Sequence, residues 1–539
     1  MLIAVVVVLL ILVAYPLALV LLKSFSTGEI FSWENYFKIF TSRLNYIALF
    51  NTLYVGVAVT FLATLIGVTI AWLVTRTDIV GKSIIRNLIV LTFITPAYIE
   101  AIAWIQLLGR SGYINNLFRN FFNMKAPLIK LYSLEGIIFI MGIHLYPLVF
   151  LATSNVLYAT DPLLEDAATL SGSRGFKMLT TITLPLALPS ILSAAILVFI
   201  QTISCFGVAA VIGLPAGKYL LTTRVYTALS HYDVNIACAV SVILIIFAGI
   251  ALFAYRMLLR KKRYIVTTSR TQLPTPIKLG KWKIPIALIL FVFLSITVLL
   301  PLASIFLSSF LKTWGIPLSL KNLSLKNYGA VLFKEAVTAR AFRNSSIFAA
   351  VAATAAIFIG FISSYFSIRT RIAGRRILDF LVTLPLAIPG PVLATAMILS
   401  FINLYNTPWI IIIAYTVAFA PYAVRNVSGA LQKIDPALEE IGWMSGSSWI
   451  RTIKDIIFPL IKSGVFIGWI LVFLIAIREI PLSTMLYTQG TETVGTLLFS
   501  LGFETGGLEV VSTIAVIVMG ITIIGYLIIE PLGKIKWGD

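Results

Sequence analysis

The sequence predicts an all-α polytopic membrane protein, with twelve transmembrane helices arranged as two parallel six-helix repeats. Three observations predict it. The 539 residues are 59% hydrophobic and only 12% charged, where a soluble domain carries about 25% charged residues. Apolar runs long enough to cross a ~30 Å hydrocarbon core as a helix recur along the whole chain. The second half of the chain also repeats the first over long stretches, the mark of a duplicated unit.

The first run, MLIAVVVVLLILVAYPLALVLL, could pass for a signal peptide. It lacks a basic leading region and an A-x-A site and reads as a retained span. Apolar runs place the helices at 1–22, 46–75, 84–109, 135–158, 186–212 and 233–259 in the first half. In the second half they fall at 283–311, 344–367, 375–404, 408–431, 461–483 and 508–532. A transmembrane β-barrel would show ~10-residue alternating segments, and none are evident. Between the halves lies RKKRYIVTTSRTQLPTPIKLGKWK, basic and rich in Ser, Thr and Pro, with no apolar period. It reads as a linker. The expected organisation is thus a first half at 1–259, a linker at 260–283 and a second half at 284–539.

The halves align at a constant offset of 293 over the second and third helices, pairing Asn51 with Asn344, Gly67 with Gly360, Arg76 with Arg369 and Gly81 with Gly374. From the fourth helix on the offset is 274, so the first half carries about 19 extra residues, in GRSGYINNLFRNFFNMKAPLIKLYSLEG. Six spans per half make the repeats parallel, unlike the inverted repeats of many secondary transporters. With the N-terminus inside, about 25 of the 41 Lys and Arg residues fall in or near interior loops. That bias satisfies the positive-inside rule and puts both termini in the cytoplasm. The same rule explains the formal net charge of +20 without nucleic acid as a partner. Cys205 and Cys238 lie in apolar runs with no metal or disulfide spacing.

One polar insert interrupts this pattern twice: EDAATLSGSRGFKMLTTITLP from Glu165 to Pro185, and EEIGWMSGSSWIRTIKDIIFP from Glu439 to Pro459. Each copy follows an Asp-Pro pair, Asp161-Pro162 or Asp435-Pro436. Asp caps a helix start while Pro fits its first position. The following acids sit at the positive end of that helix, and Gly172 or Gly446 supplies a left-handed stop. A second short helical segment then leads to Pro185 or Pro459 at the entry to the next span. A helix–turn–helix at the cytoplasmic face is the expected object. The small residues Ala167-Ala168, and Gly442 in the second copy, would let a partner's backbone approach closely.

Asp166-Ala167-Ala168-x₃-Gly172-x₉-Ile182-x-Leu184-Pro185 resembles the EAA loop of ABC importer permeases, E-A-A-x₃-G-x₉-I-x-L-P. The second copy, Glu440-Ile441-Gly442-x₃-Gly446-x₉-Ile456-x-Phe458-Pro459, keeps the acid, glycine, Ile and Pro but has Ile-Gly for Ala-Ala and Phe for Leu. The resemblance covers nearly the whole chain, since both halves fit the type I, binding-protein-dependent plan. It implies that each loop is a coupling helix seated in an ABC ATPase subunit, two copies of which would drive the cycle. It further implies an external substrate-binding protein, periplasmic or lipid-anchored, and a prokaryotic inner (plasma) membrane location. The chain has no G-x₄-G-K-[ST] phosphate loop. It therefore reads as a transport subunit and not an enzyme, binding no cofactor itself, with ATP and Mg held by the partner ATPase.

Cargo is less legible. The pathway should run between the halves, and intramembrane polar residues are its candidates. Glu100, mated to Leu393 in the repeat, and His144, mated to Ala418, are two of them. A lone His in an apolar helix is more often a packing residue than a ligand. Arg478-Glu479 reads either as a gate-side ion pair or as residues of the headgroup zone, and Gln201 is a weaker candidate. No cluster of carboxylates, tyrosines or histidines in the sequence reads as a metal cage. The stretches at 205–230 and 478–500 resemble their counterparts in fused two-half permeases of the iron(III) uptake group. Ferric iron is the first cargo that this implies; thiamine, phosphonate, polyamine or sugar phosphate is the alternative. An ion-coupled secondary transporter is the remaining class, and it requires neither the parallel repeat nor the doubled loop. A membrane-embedded enzyme finds no HExxH or GxSxG motif.

Overall fold

A chain this apolar has no water to satisfy its backbone in lipid, so it must close its hydrogen bonds inside helices. The computed structural model describes all residues except 1, 28–29, 124–125, 128, 160–178, 262–275, 317–318, 373, 506 and 534–539. Among the described residues, ten helices are long and apolar enough to cross a membrane: Ile3–Ser24, Arg43–Arg76, Leu134–Ala159, Thr180–Ser204, Val234–Leu258, Gly280–Ser309, Ala336–Arg369, Pro408–Leu431, Trp449–Ile477 and Leu508–Ile529. Two bent pairs bring the number to twelve if each is one span.

Those pairs fall where the sequence predicts the third and ninth helices as single runs, 84–109 and 375–404. Lys82–Ile94 and Ala97–Phe122 meet at 102°, and Arg375–Ala387 and Gly390–Ser400 meet at 115°. Pro96 and Pro389 cause both breaks, and they are repeat mates. The residue before a proline is pushed out of the helical region. Thr95 accordingly has ψ 126° and Ile388 has ψ 120°. The eleventh span also begins earlier than expected. Its second short segment, Trp449–Thr452, runs on through a π turn at Ile453–Ile457 into Phe458–Ile477. Pro459 can neither donate to the carbonyl four residues back nor clear it, and the wider π turn accommodates the ring. The first half does the same, with a π turn at Leu179–Thr183 just before Pro185.

The duplication is visible bond by bond. Asn51 Nδ2 donates to the Tyr219 carbonyl at 3.0 Å, and Asn344 Nδ2 donates to the Glu492 carbonyl at 3.0 Å. Next along, the Thr52 hydroxyl accepts from Leu221 N, and the Ser345 hydroxyl accepts from Val494 N, each at 2.8 Å. Gly67 packs against the backbone of Tyr146 and Phe150, and Gly360 against that of Ala423 and Val424. Each glycine lets two spans cross at backbone distance.

By packing the chain forms two compact units, one of Met1–Ser42, Arg224–Ile245 and Ser308–Asp539, the other of Arg43–Thr223 and Ile246–Leu307. The covalent repeats therefore exchange their first helices. In the first unit, Val20 of the first span packs with Cys238, Val242 and Ala396. In the other, Lys283 at the start of the seventh span pairs with Asp78 at 3.4 Å. A further duplicated anchor escaped the sequence reading. Asn35 Nδ2 and Asn327 Nδ2 donate to the Ser24 and Leu311 carbonyls, while Tyr36 and Tyr328 share hydrogen bonds with Ser24 and Ser309.

Candidate functional site

The second polar loop is described in full. Asp435 Oδ1 accepts from Ala437 N at 3.0 Å and caps the helix Ala437–Met444. Gly446 has φ +78°, the left-handed turn that a side chain resists. Ser448 then caps Trp449–Thr452 through Arg451 N.

The two acids of this loop part company. Glu440 is exposed, whereas Glu439 is buried beside Arg369, whose Nε lies 2.9 Å from Glu439 Oε1. The approach is off-axis for a hydrogen bond, so charge holds the pair. Tyr365 donates its hydroxyl proton to Glu439 Oε2 at 3.1 Å and accepts from Trp449 Nε1 at 3.0 Å. Arg369 Nη2 donates to the Leu431 and Ile434 carbonyls at 2.9 and 2.7 Å, satisfying oxygens that the end of a helix leaves orphaned. Behind these groups Tyr365, Val427, Leu431, Ile457 and Ile461 form a core cluster. The C-terminus of the long helix Ala336–Arg369 is thereby fastened to the loop. Arg369 was legible as the repeat mate of Arg76; Tyr365 was not, since its mate is Trp72.

Gly442 has a different role from the expected one. A Cβ there would lie 2.9 Å from Ile456 Cδ1 and 3.3 Å from Thr452 Oγ1. Its smallness serves packing between the loop's own two arms, not an open seat for a partner's backbone. The outward side carries Leu438, Ile441, Trp443, Met444 and Ile450, all exposed, with Met444 at 88%. Phe458 and Pro459 are exposed as well, and Ile456 is half-buried.

In the first copy, Glu165, Asp166, Ala167, Ala168 and Gly172 lie outside the described residues. Ile182 and Leu184 are half-buried and Pro185 is exposed.

Of the intramembrane candidates, two meet. His144 Nδ1 lies 2.8 Å from Glu100 Oε2, with both side chains largely buried. Glu100 occupies the first turn after Pro96, where the helix start favours an acid. The pair joins the third span to the fourth, and Glu100 borders a small recess lined by Thr92, Thr95, Ala103, Thr297 and Pro301. Gln201 is exposed and joins no such site.

Arg478 and Glu479 form no ion pair with each other among the described residues. Glu479 instead accepts from Leu482 N and Ser483 N, both at 2.9 Å, and from the Ser483 hydroxyl at 3.0 Å. It caps the helix Pro481–Leu486, satisfying donors that would otherwise be orphaned. A nearby pair that the sequence reading missed is Arg340 and Glu492, bonded twice at 2.8 and 3.1 Å. Only one copy of the repeat carries it, so the duplication gave no signal.

Residues 63–264 and 352–534 match the family described as binding-protein-dependent transport system inner membrane components. The ferric transport system permease protein FbpB of Actinobacillus pleuropneumoniae is 26% identical over 499 residues, 89% of this chain and 70% of that protein. A putative ferric transport system permease protein FbpB 1 of Haemophilus influenzae is 27% identical over 507 residues, 89% of this chain and 76% of that protein. The putrescine transport system permease protein PotI of Escherichia coli is 26% identical over 266 residues, 47% of this chain and 91% of that protein. That permease, covered over 91% of its own length, thus matches about half of this chain.

Proposed function

This chain belongs to the family of binding-protein-dependent transport system inner membrane components, and from that membership we propose that it is the pathway for ferric iron in an ATP-driven importer. The observation that carries the cargo is the pair of ferric transport permeases, each matched over 89% of this chain. A polyamine is the second reading, favoured by the putrescine permease that matches 47% of the chain.

Energy comes from two copies of a separate cytoplasmic ATPase, which bind ATP and Mg. Their seats are the two polar loops, Glu165–Pro185 and Glu439–Pro459. The exposed apolar ridge of Leu438, Ile441 and Met444 beside the exposed Glu440 supports this for the second loop. Such a contiguous patch on a polar segment suits a protein partner. Glu439 and Arg369 transmit the motion of that loop to the helix Ala336–Arg369, since a buried ion pair resists being pulled apart. An external binding protein delivers cargo at the opposite face, and both termini lie in the cytoplasm. Along the pathway we place Glu100 and His144, the polar pair at membrane depth, with Arg478 and Glu479 at its outer end. Gln201 is a weaker member of this set.

The test is uptake of radiolabelled iron by proteoliposomes holding this permease, its ATPase and its binding protein. ATP-dependent accumulation of iron that stops without the binding protein is expected. Accumulation of putrescine but not iron under the same conditions overturns the cargo. Iron uptake that ignores ATP overturns the importer class.

A further inference from the structure

The extra segment of the first half is a folded element with a reversed face. Tyr113–Phe122, YINNLFRNFF, is a helix that starts five residues after the helix ending at Leu108. At about 100° per residue, Tyr113, Ile114, Leu117, Phe118, Phe121 and Phe122 fill one half of its wheel, and Asn115, Asn116, Arg119 and Asn120 fill the other. A soluble protein would turn the aromatic half inward. Here Leu117, Phe121 and Phe122 are exposed at 67%, 80% and 58%, while the polar side holds the helix to the protein.

Asn115 does the holding. Its Nδ2 donates to the carbonyls of Leu108, Gly109 and Ile129 at 2.6, 3.0 and 3.1 Å, and its Oδ1 accepts from Ile129 N at 3.2 Å. Asn116 and Arg119 add bonds to the carbonyls of Ser111 and Arg110. The inserted helix is therefore fixed at the end of a membrane-spanning segment with its apolar half outward. Over residues 109–134 the chain carries Arg110, Arg119, Lys125 and Lys130 and no acid.

We propose that Tyr113–Phe122 is an interfacial helix that docks on the anionic lipid surface bordering its own span, with Leu117, Phe121 and Phe122 at the headgroup–acyl boundary. An exposed aromatic strip whose own segment, 109–134, carries four basic residues and no acid is what such a surface takes up. It commits the insert to lipid in preference to a soluble partner. The proposal rests only on the chain spanning a membrane, so it stands or falls independently of the cargo and of the ATPase.

Spin labels at Leu117→Cys and Phe121→Cys, in a Cys205→Ala/Cys238→Ala background, test it in nanodiscs of mixed neutral and anionic lipid. The same labels in the wild-type background, corrected for the signal of the native cysteines, serve if the double replacement fails to fold. Oxygen should relax both labels more than a water-soluble nickel complex does, at a depth of about 5–10 Å. Asn120→Cys should sit shallower than both, and Phe121→Glu should draw the Leu117 label toward water. Labels open to nickel and closed to oxygen overturn the proposal. So does protection that appears only when the binding protein is added, or dipolar broadening that reports a second copy.

Discussion

Removing Arg369 should cost more than removing its partner Glu439, although the two form one ion pair. Both side chains are almost wholly buried, at 7% and 4% exposure. Arg369→Ala strands Glu439 with a single neutral donor, the Tyr365 hydroxyl, and leaves the Leu431 and Ile434 carbonyls without their side-chain donor. Breaking a buried pair this way costs about 3–5 kcal/mol. Glu439→Ala leaves Arg369 still bound to both carbonyls, so the loss should be about 1.5–3 kcal/mol, the range for hydrogen bonds to charged groups. Tyr365→Phe should cost about 0.5–1.5 kcal/mol. Thermal unfolding of the purified permease in nanodiscs, followed by tryptophan emission, ranks the three, and Trp449 reports from beside Tyr365. The double variant should fall short of the sum by more than about 0.5 kcal/mol, as contacting residues do. An additive double variant, or Glu439→Ala as the more damaging single change, would refute the reasoning. ATP-driven uptake should fall in the same order while the ATPase keeps turning over.

Three further outcomes follow from the same geometry. Gly67→Ala should destabilise more than Gly360→Ala, because the new Cβ meets Val149 Cβ at 2.7 Å and the Tyr146 carbonyl at 2.8 Å against 3.0 Å at Ala423; a loss of about 1–3 kcal/mol is expected at Gly67, and equal unfolding midpoints would count against it. A Cβ at Gly446 meets no neighbour, but Gly446→Val must hold φ +78°, so about 1–2 kcal/mol of local strain should loosen the loop and uncouple ATP hydrolysis from uptake without loss of membrane insertion, read by comparing both rates with the amount of permease in the membrane. Asp78 is held below the usual carboxylate range, chiefly by the Leu279 N–H and also by Lys283. Its folded pKa lies below its unfolded one, so its contribution is present above about pH 3.9 and is lost as pH falls through the folded value. Amide protection at Leu279, corrected for intrinsic exchange, should drop over that window in wild type and be low throughout in Asp78→Asn.

Much of the fold was legible because lipid leaves so few solutions. Runs of apolar residues must be helices, and an offset of 293 or 274 must superpose like elements. Pro96 and Pro389 were visible too, yet a proline in an apolar run signals a kink without its size, so bends of 102° and 115° were not foreseen. At the candidate site the doubled loop, its capping Asp435 and the turn at Gly446 could all be read from local chemistry. The division of labour between Glu439 and Glu440 could not. Adjacent acids look alike in sequence, and only the arrival of Arg369 and Tyr365, 70 or more positions away, buries one and frees the other.

By itself, then, the sequence determined the class, the number of spans, the duplication and the two polar loops, because each depends on composition or on periodicity within a few turns. Tertiary structure alone decided three things: that the repeats exchange their first helices, that Glu100 meets His144 while Arg478 and Glu479 do not pair with each other, and that the helix Tyr113–Phe122 turns its aromatic half outward. Each depends on which distant segment packs against a given face, and local periodicity carries no information about that choice.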